Sequence, residues 1–229
     1  LITRTYDFYE AVRAFDEISK KDDFLLGVLF KYSKTNEDIE NTIYYKNNSG
    51  KILEGEINLG IIGAGNYARA HLIPNFASSN RVNLVGVCTN NGRNSGYIAK
   101  KHGFNYATSD PHKIIKDKKI NCIVIATRHN THSDLVVKSL KENKHVFVEK
   151  PLAITKKQLA AIKEAYSKSK GTIMVGFNRR YSPFIIKTFD FFEKVTSPLM
   201  INYRINSGKL PHDHWFYDRE IGGGRISSE

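Results

Sequence analysis

The chain has 229 residues, a length that allows one large domain or two smaller ones. Hydrophobic residues make up 41%, as in a globular protein that buries a core. The longest apolar runs, at 24–30 and 123–126, fall far short of the ~20 residues that cross a bilayer, so we predict no membrane partner. The net charge of +12 comes from dispersed lysines. This dispersion favours a solvated surface over a nucleic-acid site, with attraction for phosphate-bearing substrates as the weaker alternative.

The cysteines indicate where the protein is located, and the two ends of the chain indicate whether the sequence is a piece of a longer protein. Cys88 and Cys122 both lie in apolar runs typical of buried strands, which predicts free thiols and a reducing, cytoplasmic location. The first twenty residues mix charged and apolar side chains and do not resemble a signal peptide. The chain starts at Leu1 and ends at Glu229, straight after a glycine-rich turn, and we therefore expect a piece of a longer protein.

The first 55 residues differ from the rest. Helical periodicity predicts a helix over 6–19, and a buried apolar run predicts a strand over 24–30. The polar stretch 33–56 has the composition of a linker, with a short strand or hairpin possible at 42–45. We therefore predict the tail of a preceding domain at 1–35 and a linker at 36–55.

From residue 57 onward, strands alternate with helices. Strands are predicted at 57–62, 82–88, 120–126 and 145–148, and helices at 66–77, 96–102, 110–116 and 131–143. This rhythm indicates βαβ units and a parallel sheet, which we assign to a domain at 56–151. Beyond Pro151 we predict helices at 155–169 and 183–195, the second with a buried aromatic face, and strands at 172–177 and 199–205. We assign residues 152–229 to the start of a second, α+β domain.

The strongest local motif is Gly63-Ala64-Gly65-Asn66-Tyr67-Ala68, which follows the first of these strands and opens a helix. In this G-x-G-x-x-G/A pattern the first glycine permits a tight turn. The second lets the backbone approach a pyrophosphate, and the small last residue keeps the helix close to the sheet. The helix N-terminus then offers N–H groups to the phosphates. The motif predicts an α/β fold: a Rossmann-type doubly wound parallel sheet that binds a dinucleotide, followed by the start of an α+β substrate domain.

The end of the second strand bears on the choice of cofactor. An acidic residue there holds the ribose hydroxyls in NAD enzymes. This sequence has Thr89 and Asn90 instead, with Arg93 nearby. A guanidinium in place of a carboxylate favours a 2′-phosphate and hence NADP. The alternative is NAD held through neutral hydrogen bonds, with Arg93 an ordinary loop residue that does not contact the cofactor.

Two further segments follow strands at the same edge of the sheet. Residues 126–132 follow the third strand, and Glu149-Lys150-Pro151 follows the fourth. Ligands of open α/β sheets bind at the carboxyl ends of their strands. Lys150 at this edge can donate a proton or a hydrogen bond to a substrate oxygen. Glu149 can pair with Lys150 or hold the cofactor.

Taken together, four segments resemble the glucose–fructose oxidoreductase and inositol dehydrogenase family (Gfo/Idh/MocA) over about 55–229. They are the glycine motif, the segment 126–132, Glu149-Lys150-Pro151 and the segment 176–181. The resemblance implies an NAD(P)-dependent oxidoreductase that moves a hydride between nicotinamide and a carbon of a sugar or sugar nucleotide. It also implies a homo-oligomer built through the sheet of the second domain.

The resemblance assigns roles to residues. Lys150 contacts substrate and cofactor and assists proton transfer, and Asn178 and Arg179 lie on the substrate side. Independently of the resemblance, the residue type of Trp215 offers a face to a sugar ring. The complete set of expected cofactor contacts is Gly63, Ala64, Gly65, Asn66, Tyr67, Ala68, Thr89, Asn90, Arg93, Ala126, Thr127, Arg128, Asn130, His132 and Glu149. His212 and His214 flank Asp213, but adjacent side chains of an extended segment point to opposite faces, so we predict no metal site.

The sequence departs from the family at its end. The family follows its glycine-rich segment with an aspartate and then a histidine that acts as acid and base. Here Ser228 and Glu229 stand near the expected aspartate, and the expected histidine lies beyond the last residue. Two alternatives therefore stay open: a non-catalytic dinucleotide-binding module, and an elimination enzyme of the NAD-dependent glycosidase type.

The first residues have a resemblance of their own. Residues 1–4, the predicted helix to Ser19 and the run 24–29 resemble the C-terminal tail of a zinc-type medium-chain alcohol dehydrogenase. By this resemblance, proteins that join such a domain to a Gfo/Idh/MocA domain are connected with surface polysaccharide synthesis. This resemblance implies a two-domain oxidoreductase.

Overall fold

The computed structural model describes residues 2–20, 26–32, 41–45 and 57–228. The chain forms two compact units, Leu1–Glu40 and Asn41–Glu229. In the first unit, strands β1 (Arg4–Asp7) and β2 (Val28–Lys31) pair in parallel, with a 3-10 turn (Phe8–Glu10) and helix α1 (Ala11–Ser19) following β1. The helix predicted at 6–19 thus begins five residues late, because Tyr6 and Asp7 belong to the strand. The strand predicted at 24–30 is Val28–Lys31, and its first two residues lie outside the described residues.

The second unit is built on a seven-stranded sheet. Its strands are β3 (Thr42–Tyr44), β4 (Ile57–Ile62), β5 (Val82–Cys88), β6 (Tyr106–Thr108), β7 (Cys122–Ile125), β8 (His145–Val148) and β9 (Ile173–Val175). Their order across the sheet is β3-β6-β5-β4-β7-β8-β9. All neighbours are parallel except β3, which pairs antiparallel with β6 at one edge. The six parallel strands have the 3-2-1-4-5-6 order of the Rossmann fold, and the predicted fold class is confirmed.

Helices cover both faces of this sheet. They are α2 (Ile73–Ala77), α3 (Gly92–His102), α4 (Pro111–Lys116), α5 (His129–Lys141) and α6 (Lys156–Ser167). Helices α7 (Pro183–Phe192) and α8 (Arg225–Ser228) follow later in the chain. Alternate residues of one strand enter different cores: Ile123 and Ile125 pack with α4, α5 and α6, whereas Val124 packs with α2 and α3. This period of two is what a strand buried on both faces requires, and it explains the continuous apolar runs in the sequence.

Side chains and prolines set several helix boundaries. The Asn91 side chain accepts a hydrogen bond from the Arg93 N–H, so α3 begins at Gly92 rather than at the predicted residue 96. Thr155 forms a capping box with Gln158 at the start of α6. The helix that follows the glycine motif contains a π-helical turn (Ala68–Leu72) just before Pro74, whose missing N–H removes one regular helical bond.

The region beyond residue 151 differs in part from the prediction. Strand β9 pairs in parallel with β8, and α6 packs against α5, so the parallel sheet continues past residue 151 to Val175. The strand predicted at 199–205 was wrong: this segment is exposed and has no strand partner among the described residues. The aromatic face of α7 was expected to be core, yet Phe184 and Phe189 are 84% and 71% exposed. No element among the described residues covers them, and the assignment of 152–229 to a second domain stays a prediction.

Candidate functional site

The candidate site lies where the strand order reverses, between the carboxyl ends of β4 and β7. In open α/β sheets the connections from these two strands leave toward opposite faces, which opens a crevice that ligands occupy. The glycine motif leaves β4 on one side of this crevice, and residues 126–132 leave β7 on the other. Glu149-Lys150-Pro151 follows β8, the next strand along the edge, and the Lys150–Pro151 peptide is cis.

Gly63 makes the first turn of the motif, and no other residue fits there. Its φ of +91° lies in the left-handed region that side chains disfavour. A Cβ atom at this position would stand 2.6 Å from the carbonyl carbon of Ala126 and 2.8 Å from the Thr127 side chain. The Gly63 N–H donates to the carbonyl of Cys88 at 2.9 Å. Gly63 thus brings the chain against the end of β7, where Ala126 donates its N–H to Ile62.

Unlike Gly63, Gly65 has open space beside it. A Cβ built on it has no atom within 4 Å, and its φ is outside the left-handed region, so the open space beside it is available to a ligand. The helix begins directly afterwards at Asn66, and the Arg69 N–H donates to the Gly65 carbonyl at 3.0 Å. Ala68 is buried against the sheet. Because the first N–H groups of a helix lack partners within it, this turn fits a pyrophosphate.

The end of β5 places three of the expected cofactor contacts together. The Thr89 hydroxyl donates to the carbonyl of Asn91 at 2.7 Å, which shapes the turn into α3. Asn90 and Arg93 are exposed at this turn. Arg93 stands in the first turn of α3, near the position from which a ribose hydroxyl or phosphate is bound in this fold.

The start of α5 is covered by the segment around residues 215–222. The carbonyl of Ile221 accepts the N–H of Asn130 at 3.0 Å, and the carbonyl of Gly222 faces Nδ1 of His129 at 2.8 Å. Trp215 packs edge-on against His129, with 4.7 Å between ring centroids, and the Arg128 guanidinium carbon lies 5.8 Å from the Trp215 ring centre. The backbone N–H of Asn130 is therefore already bonded, and Trp215 lies against α5.

His132 occupies a different place from the one expected. It is fully buried, with Nδ1 2.8 Å from the Pro151 carbonyl and Nε2 3.1 Å from the Thr127 carbonyl. A side chain with no exposed surface faces the protein interior behind the crevice, and its expected role as a cofactor contact stays a prediction. Thr127 itself lies at the edge, and its hydroxyl is 2.7 Å from that of Thr131.

Glu149 is half-buried beside Gly176. A Cβ on Gly176 would stand 2.8 Å from Oε1 of Glu149, so a side chain here would displace the carboxylate. In the part of the chain that the structure describes, this buried Oε1 has no hydrogen-bond partner. Burial raises the pKa of Glu149, while the neighbouring N–H and charge of Lys150 lower it by less. An unpartnered buried oxygen at the carboxyl edge fits a ligand that brings a donor.

A hydrogen bond spans this edge of the sheet. Asn178 Nδ2, just after β9, donates to the Tyr67 hydroxyl on the glycine motif at 2.5 Å. These residues follow strands three places apart, a separation of about 14 Å at ~4.8 Å per strand. Burial raises the pKa of Tyr67, and the charge of Glu149 adds to this increase. Arg179, the other residue expected on the substrate side, is exposed next to Asn178.

Sequence reasoning did not identify three residues that shape the site: His129, Gly176 and Gly222. Gly176 lies in a quoted motif but carried no role, and the contact of Gly222 with α5 joins residues 93 positions apart. Among the described residues no three His, Cys, Asp or Glu side chains group as a metal site would require. Burial raises the pKa of Cys88 to about 12 and that of Cys122 to about 11, which makes both thiols inert. No helix in the described ranges is long and apolar enough to cross a membrane.

Comparison with known proteins identifies the family. Residues 57–177, just over half of the chain, match the model of the Gfo/Idh/MocA oxidoreductase family, described as having an NAD-binding Rossmann fold. The chain belongs to this family. Inositol 2-dehydrogenase of Salmonella typhimurium is 29% identical over 157 residues, which cover 66% of this chain and 47% of that protein. Levoglucosan dehydrogenase of Pseudarthrobacter phenanthrenivorans is 29% identical over 156 residues, 65% of this chain and 40% of that protein.

A solved structure shows the same fold. KijD10, a 3-ketoreductase from Actinomadura kijaniata in complex with NADP and TDP-benzene, superimposes with a TM-score of 0.64 at 15% identity. The match covers 76% of this chain and 54% of that protein. The present chain spans about half the length of the curated relatives that it matches. The open space at Gly65 and the unpartnered oxygen of Glu149 both fit a nicotinamide dinucleotide laid along the carboxyl edge.

Proposed function

We propose that this protein binds a nicotinamide dinucleotide and transfers a hydride between it and a carbon of a sugar or sugar nucleotide. The observation that carries the proposal is the open cradle at Gly65, at the point where the strand order reverses. Two relatives bear the names of dehydrogenases of inositol and levoglucosan, which supports a polyhydroxylated substrate. We also propose a role in surface polysaccharide synthesis, which rests on the resemblance alone.

Each residue has a task in this proposal. The backbone at Gly63, Gly65 and the following helix turn binds the pyrophosphate. Lys150 donates a hydrogen bond or a proton to a substrate oxygen while the bound nicotinamide supplies or accepts the hydride. Glu149 accepts a hydrogen bond from the ligand, which supplies the donor that its buried Oε1 lacks in the described chain.

We further propose that NADP is preferred over NAD. No carboxylate occupies the turn from Thr89 to Arg93, and the exposed guanidinium of Arg93 stands in the first turn of α3. A guanidinium binds a phosphate through paired hydrogen bonds, and a missing carboxylate removes the repulsion that a 2′-phosphate would meet.

The remaining elements of the proposal concern the whole protein. We propose a cytoplasmic homo-oligomer that acts on small molecules and binds no nucleic acid. We also propose that residues 1–35 end a preceding alcohol-dehydrogenase-like domain. The parallel pairing of β1 with β2 across helix α1 supports this idea, because such a unit is the building block of a doubly wound sheet.

The test is a titration with NADPH and, in parallel, NADH. Trp215 is the only tryptophan of the chain and lies against α5 at the candidate site, so energy transfer from it to bound nicotinamide reports occupancy. We expect both cofactors to quench Trp215, with NADPH binding more tightly. A Trp215→Phe variant should lose this signal and retain the direct fluorescence of bound NADPH. If neither cofactor binds to the wild-type chain, the oxidoreductase proposal is wrong and a non-binding structural role replaces it.

A further inference from the structure

The fully buried imidazole of His132 stands between two strand ends of the candidate site. It lies in the first turns of α5, and its ring nitrogens face carbonyl oxygens of two separate loops. One is Thr127, directly after β7, at 3.1 Å. The other is Pro151, in the turn after β8, at 2.8 Å. The backbone at Glu149 also faces the ring closely enough to act on its pKa. A single side chain thus lies between the two loops.

Burial makes these contacts costly to lose. A buried carbonyl oxygen or imidazole nitrogen without a hydrogen-bond partner carries an uncompensated free-energy cost of desolvation. This cost exceeds the net gain from an ordinary hydrogen bond. Because the neutral ring has a single N–H, it donates to one carbonyl at a time, and the shorter distance favours Pro151. The turn after β8 is therefore held by a donor from α5 and by the Glu149 N–H, which bonds to Ile125 at 2.9 Å.

Lys150 lies in the middle of the segment that these two bonds hold. Glu149 before it is tied to β7, and Pro151 after it is tied to His132. Its own peptide position therefore has little freedom, and the direction in which its long side chain leaves the backbone is set from both sides. On its other side, Nε2 of the same ring lies 3.1 Å from the Thr127 carbonyl, at the edge of the crevice.

We propose that His132 is the positioning residue for Lys150: it fixes the Glu149–Pro151 turn against the end of β7 and so sets where the ammonium group meets a bound dinucleotide. The part of this inference that concerns the dinucleotide rests on the proposed function. The part that concerns the turn does not.

The chain offers a matched control. His129 lies on the same helix, is also buried, and also faces a backbone carbonyl, that of Gly222 at 2.8 Å. Replacing His129 by Asn removes a second imidazole from α5, whose ring centroid lies 5.7 Å from that of His132, without removing a hydrogen bond to the turn after β8. The test variants are His132→Leu, which has no donor, and His132→Asn, which keeps one donor amide.

Hydrogen–deuterium exchange of the wild-type and variant chains without cofactor tests the turn. We expect His132→Leu to raise exchange at residues 149–153 by at least about tenfold, because one protecting buried hydrogen bond is lost. Exchange in β4 and β5 should stay unchanged, His132→Asn should recover part of the protection, and His129→Asn should leave 149–153 as in the wild type. A rise spread evenly over the sheet, or an equal rise in the His129 variant, would mean that His132 is only a core residue.

A double-mutant cycle with Lys150→Met tests the action through Lys150. The readout is the dissociation constant of NADPH and the fluorescence of its bound nicotinamide. If His132 acts through Lys150, His132→Leu weakens binding by roughly threefold or more in the presence of Lys150 and has no further effect in Lys150→Met. Losses that multiply in the double variant would overturn the proposal. If NADPH fails to bind the wild type, the proposed function is wrong, and the exchange experiment alone decides on the turn.

Discussion

Two glycines of the same motif should respond in opposite ways to a side chain. Gly65 has no atom within 4 Å of a built Cβ, whereas at Gly63 the same atom would lie 2.6 Å from Ala126. Gly63 also has a φ of +91°, and Gly65 lies outside this region. We therefore expect Gly65→Val to impair binding without harm to the fold, and Gly63→Ala to impair the fold itself.

The magnitudes follow from these contacts. At Gly65 a side chain fills only open space, and replacing glycine reduces the entropy of the unfolded chain, so the free energy of unfolding should change by less than about 1 kcal/mol. The same side chain excludes the pyrophosphate from backbone N–H groups. Each charge-assisted hydrogen bond is worth ~1.5–3 kcal/mol, so NADPH affinity should fall about ten- to a hundred-fold. At Gly63 the left-handed φ costs ~1–2 kcal/mol, and the overlap adds about as much again.

Urea unfolding followed by circular dichroism measures the stability of the wild type and both variants, and Trp215 quenching measures NADPH binding under the same conditions. The expected pattern is a stable Gly65→Val that binds NADPH about ten- to a hundred-fold more weakly, and a destabilised Gly63→Ala. If Gly65→Val binds NADPH within twofold of the wild type, the open space beside Gly65 is not the pyrophosphate cradle. If it loses stability as Gly63→Ala does, our account of the space around it is wrong.

Three further expectations use the same measurements. Arg93→Ala should weaken NADPH by about tenfold or more and leave NADH nearly unchanged, because it removes a charged partner of the 2′-phosphate; an equal loss for both cofactors would place Arg93 elsewhere. Gly176→Ala should displace the Glu149 carboxylate, 2.8 Å from the added methyl, and weaken NADPH by several-fold, whereas unchanged affinity would remove Glu149 from the site. Burial raises the pKa of Glu149 in the folded protein above its ordinary 4.5. The protonated carboxyl therefore contributes its full stability below pH 4.5, and this contribution is lost as the pH rises through the pKa of the folded state. Glu149→Gln should therefore unfold less readily than the wild type near pH 7, with a gap that closes toward pH 4 in urea titrations, and a constant gap would contradict this reasoning.

The sequence was sufficient for the longer strands of the sheet but not for the short strand β6. Strands buried on both faces, such as Ile57–Ile62 and Val82–Cys88, have continuous apolar runs and were predicted correctly. Strand β6 (Tyr106–Thr108) was missed because three residues between two turns show no periodicity. Its identity comes from its partners, β5 on one side and β3 on the other.

The segment 199–205 shows the reverse error. Its alternating polar and apolar residues predict an extended strand, and pattern alone cannot state whether another strand is available to pair with it. In the described part of the chain none does, and Met200 and Ile201 remain exposed at 100% and 80%. A period of two therefore predicts backbone extension, whereas sheet formation depends on contacts that are distant in sequence.

The two halves of the candidate site also differ in how well the sequence predicts them. The pyrophosphate half depends on backbone shape within six consecutive residues, 63–68, so a local motif predicts both its position and its chemistry. The half around Lys150 depends on contacts between distant residues: His132 on Pro151, Gly176 on Glu149, and Asn178 on Tyr67. None of these pairs has a spacing that a local pattern could reveal. Substitution of Gly65 should therefore act on cofactor affinity directly, whereas substitutions at 132, 176 and 178 should act through the placement of Glu149, Lys150 and Tyr67.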